Sequence, residues 1–239
     1  MKIAIVHYWH TEGMGYSDNL LPKTLAKLGH EVHLIVGNTN VYYYEPRYKE
    51  VYEPIFGPAI VGCGVKQVDG YTLHRLPFYH YCPFKGKIHR FEEFGITNLY
   101  MYLSRLQPDI VQTLTINTIL SYHSAHYVRD FKKKLFTECH IHESVYNPPD
   151  KKFRRLYNTV NPFLGHINKH TTLCYPIAPD VANIVTTYYK VPKKKQKIQS
   201  LGVDTDIFYP LNEMERGAKI GDLRKQLGIA LDEVVCIYT

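Results

Sequence analysis

Long apolar runs are absent from this sequence of 239 residues. A membrane-spanning helix needs about 18 or more apolar residues in succession, and no such stretch occurs. The first apolar run begins at Ile3, directly after Met1 and Lys2, and is too short for the apolar core of a signal peptide. We therefore expect a cytoplasmic protein, with peripheral contact to the inner face of the membrane as a variant of that location.

Paired cysteines are absent as well. The number of cysteines is five, which is odd, and none forms a C-x-x-C pair. This pattern argues against a disulfide framework and against a structural zinc site. We expect reduced, mostly buried thiols at Cys63, Cys82, Cys139, Cys174 and Cys236.

Two common phosphate-binding motifs are missing too. The sequence has no G-x-x-x-x-G-K-[ST] loop, and Asp18 stands where a G-x-G-x-x-G motif would have its third glycine, which disfavours a nicotinamide site. Gly13-Met14-Gly15 is present between a predicted strand and a predicted helix. Free backbone N–H groups and the positive helix end make such a loop an anion site, and a tight strand-to-helix turn is the alternative.

Positive charge exceeds negative charge, with 29 Lys and Arg residues against 22 Asp and Glu residues. The net charge of +7 favours an anionic partner, such as nucleotide phosphates, an anionic lipid leaflet or nucleic acid, or it serves solubility alone. Much of this charge lies in clusters at 132–134, 151–155 and 193–197. The first cluster follows a predicted helix, where cations compensate the helix dipole.

Short apolar runs alternate with helical patterns, which is typical of a doubly wound parallel sheet covered by helices on both faces. The predicted strands cover residues 3–7, 31–36, 72–76, 109–114, 135–140, 171–175 and 197–201. The first predicted helix starts near Asn19, which places Pro22 in its first turn. Further helices are predicted at about 88–106, 116–133, 152–168 and 179–190. The predicted fold class is therefore α/β, Rossmann-like, with a mainly parallel sheet of about seven strands.

The segment LGVDTDIFYP at residues 201–210 is the most informative one. It resembles the Gly-Val-Asp-x-x-x-Phe-x-Pro segment that joins the two halves of retaining glycosyltransferases of family 4, which have the GT-B fold. MKIAIVHYW, the glycine loop and LLPKTLAKLGHEVHLIV resemble the opening strand, loop, helix and second strand of that family. Three later segments resemble segments of the family and come in the family's order: VDGYTLHRLP at 68–77, QPDIVQTL at 107–114 and KLFTECH at 134–140.

The resemblance implies a division of the chain. Residues 1–201 would be the N-terminal Rossmann-like domain on the acceptor side, and residues 202–239 the interdomain linker with the truncated start of the C-terminal domain. DLRKQLGIALDEVVCIYT resembles the approach to that second domain, with an orphan strand predicted at 234–238. The family's phosphate-binding Arg and Lys and its paired glutamates would follow later, so we expect this segment alone to be inactive.

The resemblance also implies an activity. A sugar would pass from a nucleotide-diphosphate sugar to an acceptor hydroxyl with retention of anomeric configuration. The implied partners are the nucleotide sugar, a sugar or lipid-linked acceptor and an anionic membrane surface, whereas no nucleic acid, cofactor or metal is expected. A non-catalytic module that binds a sugar or a phospholipid headgroup is one alternative. An unrelated nucleotide-binding Rossmann domain is another.

The site residues follow from the same resemblance. Gly13 matches the second glycine of the family's loop, so Gly13 and Gly15 are the candidates for contact with the donor phosphate. His140 is similar in register to a histidine near the donor sugar and is the candidate catalytic residue. His142 with Glu143 is the alternative sugar contact; an ordinary polar position and a metal ligand are further alternatives.

Two regions beside these candidates carry hypotheses of their own. Residues 37–70 show no sustained period and contain three successive tyrosines, so they form either an acceptor-binding loop or a loop packed by its own aromatic rings. His7 and His10, after the first strand, are expected to have ordinary structural roles.

The linker residues have local explanations. Gly202 gives a flexible position, and Asp204 can cap the turn that follows it. Phe208 with Pro210 is expected to hold the segment against the sheet.

Overall fold

The computed structural model describes residues 1–81, 93–141, 163–210, 212–230 and 232–236. The chain forms two compact units, Met1–Gly202 and Val203–Thr239. Among the described residues, no helix combines the length and the apolar character that crossing a membrane requires.

The first unit is built on a seven-stranded sheet and a two-stranded sheet. The strands are β1 (Lys2–Val6), β2 (Glu31–Gly37), β3 (Gly64–Val68), β4 (Tyr71–Leu76), β5 (Phe78–Tyr81), β6 (Glu93–Ile96), β7 (Ile110–Thr113), β8 (Lys134–Cys139) and β9 (Thr171–Pro176). The large sheet has the order β3-β4-β2-β1-β7-β8-β9. Its strands are parallel except for the edge strand β3, which is antiparallel to β4, and β5 pairs with β6 in the small sheet.

Helices connect these strands. They are α1 (Ser17–Lys27), α2 (Tyr48–Val51), α3 (Glu53–Phe56), α4 (Leu99–Leu106), α5 (Ile119–Asp130), α6 (Phe163–His170) and α7 (Pro179–Thr187). A short 3₁₀ turn follows at Lys193–Lys195. The second unit contains α8 (Glu213–Gln226).

Alternate residues of each strand supply two apolar layers. Ala4 and Val6 of β1 belong to the cluster formed with α4, α5, α6 and α7, whereas Ile3 and Ile5 belong to the cluster that includes Leu25 of α1. Burial of one such large apolar side chain stabilises the fold by roughly 1.5–3 kcal/mol. The helices therefore cover both faces, which confirms the predicted fold class.

Six of the predicted strands are present, and the seventh is not where we predicted it. Residues 197–201 form no strand; Lys197 and Gln199 donate backbone hydrogen bonds to β9 beside an isolated bridge at Gln196. The seventh strand is β3 instead. Most of its residues are exposed, so it lacks the apolar pattern that revealed the others.

The helix predicted at 88–106 is wrong in its first half. Residues 93–96 are strand β6, and α4 begins only after Asn98, whose backbone is left-handed with φ 57°. A Cβ at Gly95 would lie 2.2 Å from Tyr79 Cζ, so the missing side chain lets the two strands of the small sheet pack closely. Residues 82–92 lie outside the described residues.

Smaller differences concern helix ends. The first helix starts at Ser17 rather than near Asn19, so Pro22 lies inside α1. The described part of the helix predicted at 152–168 is α6. Residues 234–236 are not paired as a strand, and no strand is described in the second unit for them to pair with, so the orphan strand at 234–238 stays a prediction.

Candidate functional site

The carboxyl ends of the parallel strands define the candidate site. The chain leaves β1 for β2 on one side and later returns to β7 on the other side of β1, so the strand order reverses between β1 and β7. In open α/β sheets, ligands bind in the crevice at this switch point. The segment after β1, which leads to Gly13 and Gly15, and His140 after β8 lie at this edge of the sheet.

The glycine loop has a left-handed backbone at both glycines, and one of its N–H donors is occupied. Gly13 and Gly15 have φ values of 80° and 72°, a region that other residues avoid. A Cβ at either position would contact nothing within 4 Å, so the backbone angle, not space, requires glycine. The Gly13 N–H donates to Asn19 Oδ1 at 3.0 Å, so the prediction of a free N–H is wrong for this residue.

A buried hydrogen bond between two side chains fastens this loop to the helix. His10 Nδ1 lies 2.6 Å from Oδ2 of Asp18, which is in the first turn of α1, and both side chains are almost fully buried. A carboxylate in a first turn is stabilised by the helix dipole. His10 Nε2 is buried without a hydrogen-bond partner in the described part of the chain. The structural role that we predicted for His10 is therefore observed, but its partner was missed.

His7 lies at the same edge and is held neutral. Its Nδ1 is 2.8 Å from the backbone oxygen of Trp9. Burial lowers the pKa of His7, although the charge of Asp18 opposes this shift. A neutral imidazole that donates from Nδ1 keeps Nε2 as a hydrogen-bond acceptor.

His140 belongs to a row of polar side chains on neighbouring strands. Its Nε2 lies 3.0 Å from Glu138 Oε2, and Gln112 of β7 donates to the other carboxylate oxygen of Glu138. The side chain of His140 is 31% exposed and that of Glu138 is 13% exposed, so the more deeply buried Glu138 holds the His140 ring through this hydrogen bond. Sequence reasoning missed Glu138 and Gln112, although both alternate with buried residues on the predicted strands.

The remaining hypotheses for this edge are the alternative sugar contacts and a metal site. His142 and Glu143 lie outside the described residues. Within the described ranges, no group of three His, Cys, Asp or Glu side chains is placed to hold a metal ion.

The segment between β2 and β3 is packed largely by its own aromatic rings. The ring centroids of Tyr42 and Tyr52 are 4.9 Å apart, and those of Tyr52 and Phe56 are 6.1 Å apart. Tyr44 is half exposed, and its ring centroid lies 6.4 Å from that of Trp9. The segment therefore also presents aromatic surface beside the end of β1, which leaves acceptor binding as a prediction.

A cavity of about 520 Å³ opens beside this segment. Arg75 of β4, Lys66 of β3 and Glu12, which precedes the glycine loop, all line it. Phe56 and Ile55 of α3 supply apolar walls. Its volume is that of a typical small-molecule site.

One prediction for the linker residues is confirmed, and the other stays a prediction. The Asp206 N–H donates to Asp204 Oδ1 at 3.0 Å, so Asp204 caps the turn as expected. The ring of Phe208 is 66% exposed, and its predicted contact with the sheet, together with Pro210, stays a prediction. Gly202 has open space around its Cα and a φ outside the left-handed range.

The sequence profile of Glycosyltransferase Family 4 matches residues 19–207, which is most of the chain. This chain belongs to glycosyltransferase family 4. No curated protein sequence matches it.

Solved structures show the same fold for this family 4 chain. A glycosyltransferase from Rickettsia africae has 17% identity and a TM-score of 0.53, and 96% of this chain covers 50% of that protein. Anabaena Alr3699/HepE in complex with UDP and glucose has 14% identity and a TM-score of 0.51, with coverages of 95% and 50%. The chain thus spans about half the length of these proteins and has the architecture of one Rossmann-like half of a GT-B fold.

Proposed function

We propose that this domain is the acceptor-side half of a retaining glycosyltransferase. The complete protein would move a sugar from a nucleotide-diphosphate sugar to an acceptor hydroxyl. The row of Gln112, Glu138 and His140 at the carboxyl ends of β7 and β8, in a chain of glycosyltransferase family 4, carries this proposal. The UDP and glucose bound by the Anabaena relative support a nucleotide sugar as donor.

The proposed transfer exchanges one bond at the anomeric carbon for another. The bond to the donor phosphate breaks, the acceptor oxygen bonds to the anomeric carbon on the same face of the sugar, and the proton of the acceptor hydroxyl passes to the leaving diphosphate. The leaving diphosphate takes up negative charge, and stabilising such charge is usually the largest catalytic contribution. We assign most of that stabilisation to the second half of the protein, without a metal or other cofactor.

His140 has a defined role in this proposal. Its Nε2 donates to Glu138, which makes Nδ1 of the neutral ring a hydrogen-bond acceptor that we assign to a hydroxyl of the transferred sugar. The loop at Gly13 and Gly15 lies beside the amino end of α1, where backbone dipoles favour the donor diphosphate. The two glycines then serve the loop's left-handed shape rather than a free Gly13 N–H.

Sugar transfer by the full-length protein tests this function. We expect turnover with a nucleotide sugar such as UDP-glucose when residues 1–239 are joined to a second GT-B half, and none from the 239-residue chain alone. His140→Ala should lower kcat by about tenfold, the effect of losing one hydrogen bond in the transition state. His30→Ala, at the opposite end of the sheet before β2, is the matched control.

Three results would contradict the proposal or its assignment of His140. Robust turnover by the 239-residue chain would show that the second half is dispensable. Sugar binding without any transfer by the full-length protein would favour the non-catalytic binding module. Unfolding of His140→Ala, detected by circular dichroism, would make His140 a structural residue instead.

A further inference from the structure

A buried guanidinium in the wall of the cavity has unused hydrogen-bonding capacity. The Arg75 side chain is 9% exposed, and its Nη2 donates to the backbone oxygen of His10 at 2.9 Å. Its Nη1 is buried without a hydrogen-bond partner among the residues that the structure describes. A buried charged donor without a partner costs stability, so Arg75 is poised for an acceptor that the protein itself does not supply.

Glu12, the one carboxylate among the residues that line the cavity, is a weak and replaceable partner of Arg75. Glu12 Oε1 lies 3.7 Å from Arg75 Nη2, beyond hydrogen-bond distance, whereas Lys66 Nζ lies 2.7 Å and 2.9 Å from the two Glu12 oxygens. Burial raises the pKa of Glu12, but the Lys66 hydrogen bond and the charges of Lys66 and Arg75 outweigh burial and lower it. Glu12 is therefore ionised at neutral pH.

The exposure of this ion pair makes it easy to exchange. The side chains of Lys66 and Glu12 are 54% and 43% exposed, and ion pairs exposed to this degree contribute little to stability. Glu12 directly precedes Gly13, whose backbone is left-handed. Arg75, Lys66 and Glu12 together leave a net positive charge at the cavity. If Glu12 moved away from Lys66, that net positive charge would double.

We propose that this cavity is an acceptor subsite for an acidic sugar, with Arg75 and Lys66 binding its carboxylate or phosphate group. The guanidinium fork matches both oxyanions in a bidentate arrangement, and Lys66 adds a movable second cation. Glu12 marks the position of the acidic group and leaves when the ligand arrives. Phe56 supplies an aromatic ring beside the charged groups, as sugar sites commonly have. The assignment as an acceptor subsite rests on the proposed glycosyltransferase function.

Ligand binding to the 239-residue chain tests this proposal without any sugar donor. Trp9, the single tryptophan, is three residues before Glu12, so its fluorescence reports on this region. At fixed ionic strength we expect saturable changes with glucuronate and glucose 6-phosphate and none with glucose at equal concentration. Lys66→Gln should weaken glucuronate binding by about threefold to tenfold, and Glu12→Gln should strengthen it by a similar factor. Lys194→Gln, an exposed lysine in the 3₁₀ turn, should change nothing.

The opposite signs of the two substitutions make the outcome decisive. Equal affinities for glucose and glucuronate, weaker binding by Glu12→Gln, or unchanged binding by Lys66→Gln would overturn the proposal. Inorganic phosphate that binds as tightly as glucose 6-phosphate would assign the cavity to free phosphate rather than to an acceptor. Because no nucleotide sugar is present, these results are independent of whether the full-length protein transfers sugar.

Discussion

Single residues in the loop after β1 combine a left-handed backbone with a place at the carboxyl edge of the sheet. Gly13 and Gly15 have left-handed backbones, and Asn19 and the His10–Asp18 pair hold the loop to α1. Because these contacts hold the loop to α1 without a ligand, the shape of the loop is preformed. Preformed positions favour binding since less ordering is needed when the ligand arrives.

Gly13→Ala should therefore lower stability through the backbone alone. A left-handed non-glycine residue costs roughly 1–2 kcal/mol, and no contact at the new Cβ offsets this cost. Gly165→Ala in α6 is the matched control, since Gly165 has an ordinary φ and open space, and alanine there should stabilise by about 0.5–1 kcal/mol. Urea unfolding measures both free energies. Equal effects of the two substitutions would contradict the strain argument.

The candidate site residues differ in whether the sequence around each one is enough to identify it. Gly13, Gly15 and His140 were identifiable as candidates because strand, loop and helix follow each other in sequence and because His140 comes directly after a strand. Arg75 was not, since its environment depends on segments after β1, β2 and α3 that meet only in the folded chain. The sequence around it reads as one more buried strand.

Among the elements, α6 depends on a lysine from a later turn. Lys195 Nζ lies 2.8 Å from the backbone oxygen of Asn168, 3.3 Å from that of Lys169 and 2.8 Å from that of Thr171. The last carbonyls of a helix have no partners within the helix, and a cation there also compensates the dipole. Burial lowers the pKa of Lys195, but these acceptors keep its ammonium group bound.

Lys195→Met should destabilise the first unit by about 1–2 kcal/mol because the α6 carbonyls lose a charged donor. Lys194→Met is the matched control, since Lys194 lies next to it in the 3₁₀ turn and is exposed, and it should have almost no effect. Urea unfolding followed by circular dichroism distinguishes the two. If both variants lose the same free energy of unfolding, the turn tolerates neither change and the hydrogen bonds from Lys195 to the end of α6 are unimportant.

The contact between α5 and α6 contains stacked histidines. The ring of His166 lies 4.1 Å from that of His126 and 4.7 Å from that of His170. Burial, followed by the charges of His126 and His170, lowers the pKa of His166 to about 4. Arg129 and Lys169, also close by, act in the same direction.

Stability should therefore fall on mild acidification. Between pH 6.5 and pH 4 the unfolded chain binds a proton at His166 that the folded chain does not, so unfolding is favoured as the pH falls through this window. We expect a loss of about 1–2 kcal/mol after allowance for partial exposure. Urea unfolding at pH 7 and pH 5 measures it, and His166→Phe should reduce the difference. A stability that is the same at both pH values would exclude this effect.

Element prediction succeeded where burial is complete and failed where it is one-sided. β1, β2 and β8 are covered on both faces and have continuous or regular apolar patterns. β3 and β6 lie outside this central part, and their residues resemble those of loops and helices. Periodicity detects burial rather than hydrogen bonding, so an exposed edge strand gives no signal.

At the scale of the whole molecule, only part of the positive charge behind the net charge of +7 is available to an external anion. Several lysines are paired within the chain. Lys133 is paired with Asp109, Lys66 with Glu12 and Lys2 with Glu31. Lys195 is committed to the end of α6. The basic cluster at 151–155 lies outside the described residues. Within the cluster at 193–197, Lys193, Lys194 and Lys197 are exposed and available to an external anion.

These three lysines test whether the charge serves membrane docking, as a lipid-linked acceptor would require. Each should contribute about 1 kcal/mol of attraction to an anionic surface, which is about fivefold in affinity and less at high salt. Co-sedimentation with phosphatidylserine vesicles should therefore weaken strongly in the triple variant Lys193→Gln, Lys194→Gln, Lys197→Gln. The matched triple variant of Lys132, Lys133 and Lys134 removes the same charge at the start of β8, where Lys133 is already paired, and should weaken binding less. If neutral and anionic vesicles bind the chain equally, or neither binds it, the charge serves solubility and the acceptor is a soluble molecule.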